Sequence, residues 1–500
     1  MKKINLKKLI ASVLICLWLL VSLYSCADNN NINSNNNNTQ NIADASEDGG
    51  TAEVENVNIY DQFPKTDFGG REMKILIMES AEEEHYVEGE IGEVFNDAVY
   101  RRNKKIEEDY NIKLKFVPSS WADHTKDMQK SVMANDKAYD LGVMQSAAGL
   151  NSVVNNIYRD WNTVPVTKEN LDNPWWNQSI LTDLSIANKV FGIAGDIGYS
   201  YFAEIQSLVF NKKLFRDAGM EIPYAMVKDG TWTYDAFESL TKNCNRDLNG
   251  DGKIEVQDDL FGLVTMTHNA PTVYFTNFGG KAIEKDANDY PVLVLGSELN
   301  SKIIDTGYRW FIEGGVGLTE YTGNDDYTQD LSHMVFYSDR AYFIGTNLRS
   351  LMVFRNMESE YGVVPYPKLD TAQNDYISTV DGAATVLMLP KTADDDDAHF
   401  VGTIVEALAR ESSLSVIPAY YETTLQLKFT RDDETIEMLD LLRRTANFDF
   451  GYLYNFEGTG RISKTLVEQK SANLASYVEK NEAKIQRAID KLIQFCEELD

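Results

Sequence analysis

The stretch KVFGIAGDIGYSYFAEIQSLVFNKKLFRDAGM, residues 189–220, decides the fold. It begins with an apolar run at 190–194, continues through a Gly- and Tyr-rich polar stretch, and returns to a β-type pattern at 207–210. A helix is predicted from about Lys212, with Gly219 as its stop. Strand, polar crossing, strand and helix in one pass indicate a chain that leaves one compact body and enters another.

The sequence before this stretch alternates strands with helices. Strands are predicted at 73–78, 111–118 and 139–144, with helices at 93–110 and 124–134 between them. Such alternation favours a parallel sheet, in which ligands lie outside the carboxyl ends of the strands. The exits of the first and third strands, from Glu79 and from Gln145, are therefore expected at a binding edge.

The sequence after it predicts a second body and a return. Thr233 is a suitable N-cap for a helix, 382–391 is a buried strand, and a helix follows through Arg410. Residues 418–422 are expected to start the last crossing, 448–454 to form an aromatic loop, and 462–498 to be helical. Because about 430 residues exceed what one core usually holds, two bodies are expected.

Several of these segments resemble the extracellular solute-binding proteins that serve ABC importers, especially the large sugar-binding group. The segment VFNKKLFRDAG at 209–219 resembles the pattern at their first hinge, and TWTYDAF at 231–237, RAYFIGT at 340–346 and YGVVPYP at 361–367 resemble later family segments. The resemblance implies an α/β, two-lobed periplasmic-binding-protein-like fold. Each lobe would be a mixed sheet flanked by helices, and hinge strands would join the lobes. Lobe one would span 68–200 plus 370–415, and lobe two 201–369 plus 416–500.

Residues 1–25 have the pattern of a lipoprotein signal peptide. Four lysines precede an apolar run of about 16 residues, which is short for a membrane span and ends at Leu23-Tyr24-Ser25-Cys26. Cys26 is the expected site of lipidation, by palmitate or a similar acyl chain, with an ordinary N-terminal membrane anchor as the alternative. Residues 26–67 are rich in Asn, Ser and Asp and are expected to form a disordered tether. This places the protein on the extracellular face of a bacterial cell membrane, held there only by its lipid.

Charge and cysteine content limit the partners. The formal net charge of −30 argues against nucleic acid as a partner. Cys244 and Cys496 do not make a disulfide framework. We expect a monomer that meets an ABC permease in the membrane.

The loop DLNGDGKIEVQD, residues 247–258, has the spacing of a calcium loop. Side-chain oxygens occur at positions 1, 3 and 5, Gly252 occupies position 6, and Ile254 supplies the apolar position 8. The predicted ligands of a structural calcium ion are Asp247, Asn249, Asp251, Lys253 through its carbonyl, Glu255 and Asp258. Asp258 replaces the Glu of an EF-hand, so the loop resembles the dockerin type. The alternative is an acidic turn without metal.

No convincing catalytic motif is present, so we expect a binding protein and not an enzyme. The GxSxG, HExxH and Walker patterns are missing, and the five histidines lack the spacing of zinc ligands. Two carboxylates far apart in sequence remain compatible with a tethered, secreted glycoside-active enzyme. A surface lipoprotein that binds peptide or another solute is a further alternative.

The expected ligand is a carbohydrate, with an oligosaccharide favoured, held by aromatic rings and planar polar groups. Expected stacking residues are Trp176, Tyr199, Tyr201 and Tyr420, and expected hydrogen-bonding residues are Glu82, Gln145, Asp196 and Asn347. Closure of both lobes on this ligand would present it to the permease.

Overall fold

The computed structural model describes residues 65–320, 329–425 and 433–499. In these residues, two β-sheets of four and five strands organise the fold. The described strands are β1 (Arg71–Met78), β2 (Ile112–Ser119), β3 (Leu141–Gln145), β4 (Gln206–Asn211), β5 (Phe261–Met266), β6 (Ile283–Lys285), β7 (Pro291–Leu293), β8 (Gly317–Thr319), β9 (Ala341–Asn347), β10 (Tyr361–Val364), β11 (Ser378–Thr379), β12 (Thr385–Met388) and β13 (Ala446–Asn447). Of these, β6-β7 and β11-β13 form two small two-stranded sheets.

Helices flank both sheets. The described helices are α1 (Glu82–His85), α2 (Val94–Tyr110), α3 (His124–Ala134), α4 (Ser146–Asn151), α5 (Pro165–Lys168), α6 (Gln178–Asp183), α7 (Ser200–Ala203), α8 (Lys212–Ala218), α9 (Tyr224–Lys228), α10 (Tyr234–Thr241), α11 (Ala270–Asn277), α12 (Glu298–Tyr308), α13 (Leu331–Tyr337), α14 (Leu351–Phe354), α15 (Asp395–Leu414), α16 (Val416–Leu425), α17 (Asp433–Arg444), α18 (Phe450–Tyr454), α19 (Ile462–Glu468) and α20 (Leu474–Glu497).

The first sheet has the strand order β12-β3-β1-β2. Strand β1 runs parallel to both β2 and β3, with Ile75 opposite Phe116 and Leu141, whereas β12 is antiparallel to β3. The predicted parallel core is confirmed, and the late strand β12 makes the sheet mixed. The carboxyl ends of β1, β2 and β3 therefore share one edge with the start of β12.

The second sheet has the order β10-β4-β9-β5-β8. Strand β4 is antiparallel to β9 and β10, while β5 is parallel to β8 and β9. Its core is aromatic: the Phe343 ring lies 5.1 Å from the Phe237 ring and 6.1 Å from the Trp232 ring. The strands of this sheet lie between the sequence segments that supply β3 and β12 of the first sheet.

Two backbone segments connect the sheets and lie side by side. The first runs toward β4 and the second runs from β10 toward β12. They pair at Ile205 and Val380, and the Asp381 N–H donates to the Glu204 carbonyl at 2.9 Å. The expected seam crossed by more than one strand is confirmed.

The hinge helix follows the prediction closely. Helix α8 covers Lys212–Ala218, the Asn211 side chain caps its first turn, and Gly219 ends it with φ of +64°. A left-handed residue at this position favours glycine because it has no Cβ. The predicted N-cap at Thr233 is also confirmed, since its side chain accepts a hydrogen bond from Ala236 N–H.

The last part of the chain differs from the expected elements at two places. Residues 418–422, expected to start a crossing, belong to α16, where Pro418 falls in the first turn and does not break the helix. This helix packs through Val416 and Ala419 against Ala98 and Val99 of α2. The expected aromatic loop at 448–454 contains α18, which Asp449 caps by accepting from Tyr452 N–H at 2.7 Å.

The leader and most of the tether, including Cys26, lie outside the described residues. Among the helices that the structure describes, none is both long enough and apolar enough to span a bilayer. Cys244 and Cys496 are both buried, and they form no disulfide with each other.

Candidate functional site

A cavity of about 630 Å³ lies where the binding edge of the first sheet meets the second sheet. Met78 at the end of β1 and Gln145 at the end of β3 line one side, and Met266 and Asn347 at the ends of β5 and β9 line the other. Strand ends place ligands in α/β folds because backbone groups and loops converge there. Both lobes therefore contribute walls to this interlobe cavity.

A second cavity, of about 370 Å³, continues from the first. Met78, Ser80 and Glu204 line both cavities, which places them in one groove. Glu82 and Arg349 line the second cavity but not the first.

Two carboxylates from the paired crossing segments form part of the cavity wall. Glu204 lies just before β4 and is 2 % exposed; its Oε1 accepts from Arg349 at 2.7 Å, and its Oε2 accepts from Asn347 Nδ2 at 2.7 Å. Burial raises the pKa of Glu204, and the charge of Arg349 opposes that rise. The carboxylate is therefore held by the second lobe.

Asp381, on the returning segment, is held in a similar way. Its Oδ2 accepts from Gln206 at 3.1 Å and from Asn269 at 2.9 Å, and its Oδ1 accepts from Ala383 N–H. Burial raises the pKa of Asp381, while the Ala383 hydrogen bond lowers it. These bonds tie the returning segment to both β4 and the loop after β5.

Arg461 brings a positive charge to the same wall. Its guanidinium donates to Nε2 of His268 at 3.2 Å. Burial, and then the charge of Arg461, lower the pKa of His268 to about 4. At neutral pH His268 is an uncharged acceptor, and it orients the guanidinium of Arg461 beside the cavity.

Trp121 provides an aromatic surface at the opening. It follows β2, lines the interlobe cavity, and leaves 65 % of its surface exposed. A large ring this exposed has few packing partners of its own, and its face is available to an apolar surface of a ligand.

Asn347 is supported from behind by a buried polar chain. Ser350 Oγ donates to Asn347 Oδ1 at 3.1 Å and lies 2.8 Å from Nε2 of His333, whose Nδ1 lies 3.3 Å from Asp330. All these groups are buried. Because its oxygen and nitrogen both have partners, the Asn347 amide has a fixed orientation at the cavity wall.

The structure brings three of the eight predicted site residues to the groove. Gln145 and Asn347 line the interlobe cavity, and Glu82 lines its extension. The strand-exit argument placed Glu82 and Gln145 here because it depends on sheet direction, and the family resemblance of 340–346 pointed to Asn347; their contact with a ligand stays a prediction.

The other five predicted residues have partners inside the protein. Trp176 is 2 % exposed and donates to Glu406 at 2.9 Å; the neighbouring Trp175 uses the same carboxylate. Tyr201 donates to the buried Asp196 at 3.2 Å. Tyr199 stacks on Tyr420, with ring centroids 4.3 Å apart. None of these five lines either cavity, so their role in ligand binding stays a prediction.

The sequence argument missed Trp121, Glu204, Asp381 and Arg461. Trp121 follows the parallel strand β2, so the strand-exit rule that selected Gln145 also applies to it. Arg461 reaches the cavity from a distant part of the chain, and no local pattern marks it.

The loop at 247–258 makes its own hydrogen bonds. The Asp247 carboxylate accepts from Gly250 N–H at 2.5 Å and Gly252 N–H at 2.7 Å, and Gly252 has φ of +84°. Asp258 is exposed, whereas Asp259 is buried and accepts from the backbone of Leu248 and Glu255. Among the described side chains, no group of three His, Cys, Asp or Glu is arranged to hold a metal ion. The donor set is all oxygen and suits a hard cation, and calcium here stays a prediction.

Comparisons with known proteins give the fold its context. No family model matches the chain, and no curated protein matches its sequence. Solved structures do match. One is an ABC substrate-binding protein of Listeria monocytogenes in complex with cycloalternan, with 14 % identity, a TM-score of 0.51, and coverage of 86 % of this chain and 99 % of that one.

Two other matches agree. An ABC transporter solute-binding protein of Thermotoga lettingae, bound with α-D-tagatose, has 12 % identity and a TM-score of 0.53 over 85 % of this chain and 99 % of its own. The maltose/maltodextrin-binding domain of Bdellovibrio bacteriovorus, bound to maltotriose, has 12 % identity and a TM-score of 0.51. The match covers 85 % of this chain and 100 % of that domain. The chain therefore has the two-lobed α/β fold of the solute-binding proteins of ABC importers.

Proposed function

We propose that this protein is a receptor that binds a carbohydrate, most simply an oligosaccharide, in the interlobe cavity and delivers it to an ABC importer. The observation that carries the proposal is the cavity itself, whose walls come from both lobes and combine an exposed Trp ring with polar side chains. Structural neighbours in complex with cycloalternan, tagatose and maltotriose support the ligand class.

The chemistry of the wall suits a sugar. Hydroxyl groups both donate and accept, so they need a mixture of acceptors such as Asp381, donors such as Arg461, and amides such as Gln145. The apolar face of a sugar ring needs a flat apolar surface, which Trp121 provides. The volume of about 630 Å³ is within the usual range for small-molecule sites.

Delivery would depend on closure of the lobes. The sequence-based boundaries put 68–200 and 370–415 in lobe one and 201–369 and 416–500 in lobe two; we group α16 with lobe one, because Val416 and Ala419 pack against Ala98 and Val99 of α2. A ligand that touches both Gln145 and Asn347 binds the closed form better and shifts the population toward it.

The proposal includes the location. Cleavage before Cys26 and lipidation of its side chain and amine would anchor the protein at the extracellular face of the membrane, since more than one acyl chain is needed for stable anchoring. The tether would hold the lobes near an ABC permease. A calcium ion in the loop at 247–258 would be structural, because that loop is not part of the cavity lining.

The test uses a soluble chain from Ala27 to Asp500, which retains the compact unit Ile59–Asp500. Melting curves and calorimetric titrations with a panel of mono- and oligosaccharides are expected to identify a ligand that raises the melting temperature. Chromatography of the ligand after incubation should find it intact; turnover would instead favour a glycoside-active enzyme.

A variant tests whether the cavity is the binding site. Trp121→Ala is expected to lower the affinity for the identified sugar about tenfold, which corresponds to the loss of one aromatic contact. The melting temperature should change little, because the ring is exposed. Tyr337→Ala removes another exposed aromatic ring, from α13, and is the matched control. Equal effects of the two variants, or no sugar bound at all, would contradict the proposal.

A further inference from the structure

A third cavity, of about 470 Å³, opens beside the interlobe cavity. Asn151 and Asn455 line both, so the two cavities are adjacent. Leu150 and Val154, which follow β3 in the chain, form one side of this side cavity, and α20 forms the opposite side.

The wall that α20 contributes is basic. Lys484, Arg487 and Lys491 all line the side cavity, and their spacing of three and four residues places them on one face of the helix. The acidic residues of the same helix do not line it; these are Glu479, Glu482, Asp490 and Glu497.

Most of this positive charge is left uncompensated by the protein. Glu457 is the acidic residue among the lining side chains, and it forms an ion pair with Lys484. Neither Arg487 nor Lys491 forms an ion pair with any carboxylate in the described ranges. Two free cations thus face one cavity in a chain whose formal net charge is −30.

Two aromatic side chains are among the residues that line the side cavity. Tyr454 and Phe456 line it with near-parallel rings, at an interplanar angle of 15° and a centroid distance of 6.2 Å. Flat apolar groups beside a guanidinium and an ammonium suit a sugar unit that carries a negative charge. The guanidinium of Arg487 matches the geometry of a carboxylate or a sulfate ester, which accept two parallel hydrogen bonds.

We propose that the side cavity binds an anionic substituent, a carboxylate or a sulfate ester, on a carbohydrate whose other units occupy the interlobe cavity. This inference rests on the proposed function and narrows its ligand to acidic oligosaccharides. Local positive potential at the side cavity attracts such a ligand even though the rest of the surface is acidic.

The experiment measures affinities of the chain from Ala27 to Asp500 for three classes of oligosaccharide of equal length. The classes are neutral (maltotriose and similar trimers), uronate (galacturonate trimers with their neutral methyl esters) and sulfated (carrageenan-derived oligomers). We expect an acidic class to bind at least about tenfold more tightly than its neutral counterpart. The uronate and sulfated arms identify which anion is preferred.

Variants locate the effect. A double variant, Arg487→Gln with Lys491→Gln, replaces both free cations. It is expected to lower the affinity for the acidic ligand about tenfold or more and to reduce the salt dependence of binding. Lys480→Gln is the matched control, because Lys480 is an exposed lysine of the same helix that does not line the cavity. The ester comparison on the unaltered chain needs no variant and remains valid if the double substitution disturbs folding.

Each outcome is decisive. If neutral sugars alone bind, or if neither the uronates nor the sulfated oligomers bind more tightly than neutral sugars, this inference is overturned while the proposed function stands. Equal weakening by Lys480→Gln also overturns it, because the attraction would then be diffuse. Failure of every oligosaccharide to bind removes the proposed function together with this inference.

Discussion

Removal of Arg349 is the sharpest test of the cavity's electrostatics. Its guanidinium lies 2.7 Å from the Glu204 carboxylate, and the side chains are 31 % and 3 % exposed. Replacing it in Arg349→Met leaves a buried carboxylate that retains its hydrogen bond from Asn347 but loses its counter-charge. Breaking a buried ion pair costs about 3–5 kcal/mol, and the partial exposure of Arg349 places the expected loss near the lower end, about 3 kcal/mol.

The loss converts to a measurable shift in melting temperature. With an unfolding entropy of about 2 cal/mol/K per residue, the compact unit Ile59–Asp500 has about 0.9 kcal/mol/K. A loss of about 3 kcal/mol therefore lowers the melting temperature by about 3 °C at pH 7.5. Differential scanning calorimetry without ligand measures it.

The loss of stability caused by Arg349→Met is expected to depend on pH. Burial already raises the pKa of Glu204, and loss of Arg349 raises it further. The folded variant then takes up a proton at mildly acidic pH, which neutralises the unpaired charge, so the loss is expected to be smaller at pH 5 than at pH 7.5.

Two companion variants complete the test. Adding Glu204→Gln to Arg349→Met is expected to recover most of the lost stability, because the uncompensated charge is gone. Arg216→Met removes an arginine from the exposed pair with Glu360 and is expected to change the melting temperature by less than about 1 °C. An equal loss at both pH values, or no recovery in the double variant, would refute the reasoning.

Three further predictions concern the rest of the chain. If calcium occupies the loop at 247–258, chelation by EDTA lowers the melting temperature and added calcium restores it. An unchanged melting curve would show that the loop does not bind calcium. Burial raises the pKa of Glu84 to about 7, from 4.5 when unfolded, so its contribution to stability declines as pH rises between these values. Glu84→Gln should flatten the pH profile of stability across that range, whereas Glu88→Gln, at an exposed position, should not. Trp176→Phe is expected to cost about 2 kcal/mol of stability, because the ring is buried and donates to Glu406, and to leave sugar affinity unchanged. A tenfold loss of affinity without a loss of stability would instead support the stacking role predicted for it.

Local sequence patterns were enough to predict the architecture and part of the groove. Apolar periodicity located β1, α2, β2 and α3, because an element with one buried face repeats its apolar residues at a fixed spacing. Gly219 marked the end of α8, because glycine readily adopts the left-handed conformation that is common after the last residue of a helix. The strand-exit rule placed Gln145, since strand direction fixes which edge a loop joins, and the family resemblance of 340–346 pointed to Asn347.

Which side chains become partners depends on the packing of the whole folded chain. Aromatic side chains of the kind that stack on sugars occur at Trp176, Tyr201 and Tyr420. In the folded chain each of them contacts another side chain of the protein instead, and the local sequence does not specify those contacts. Arg461 and the basic face of α20 reach the groove only because helices distant in sequence pack against it. Burial and charge pairing depend on all neighbours in space, so they emerge only when the whole chain is folded.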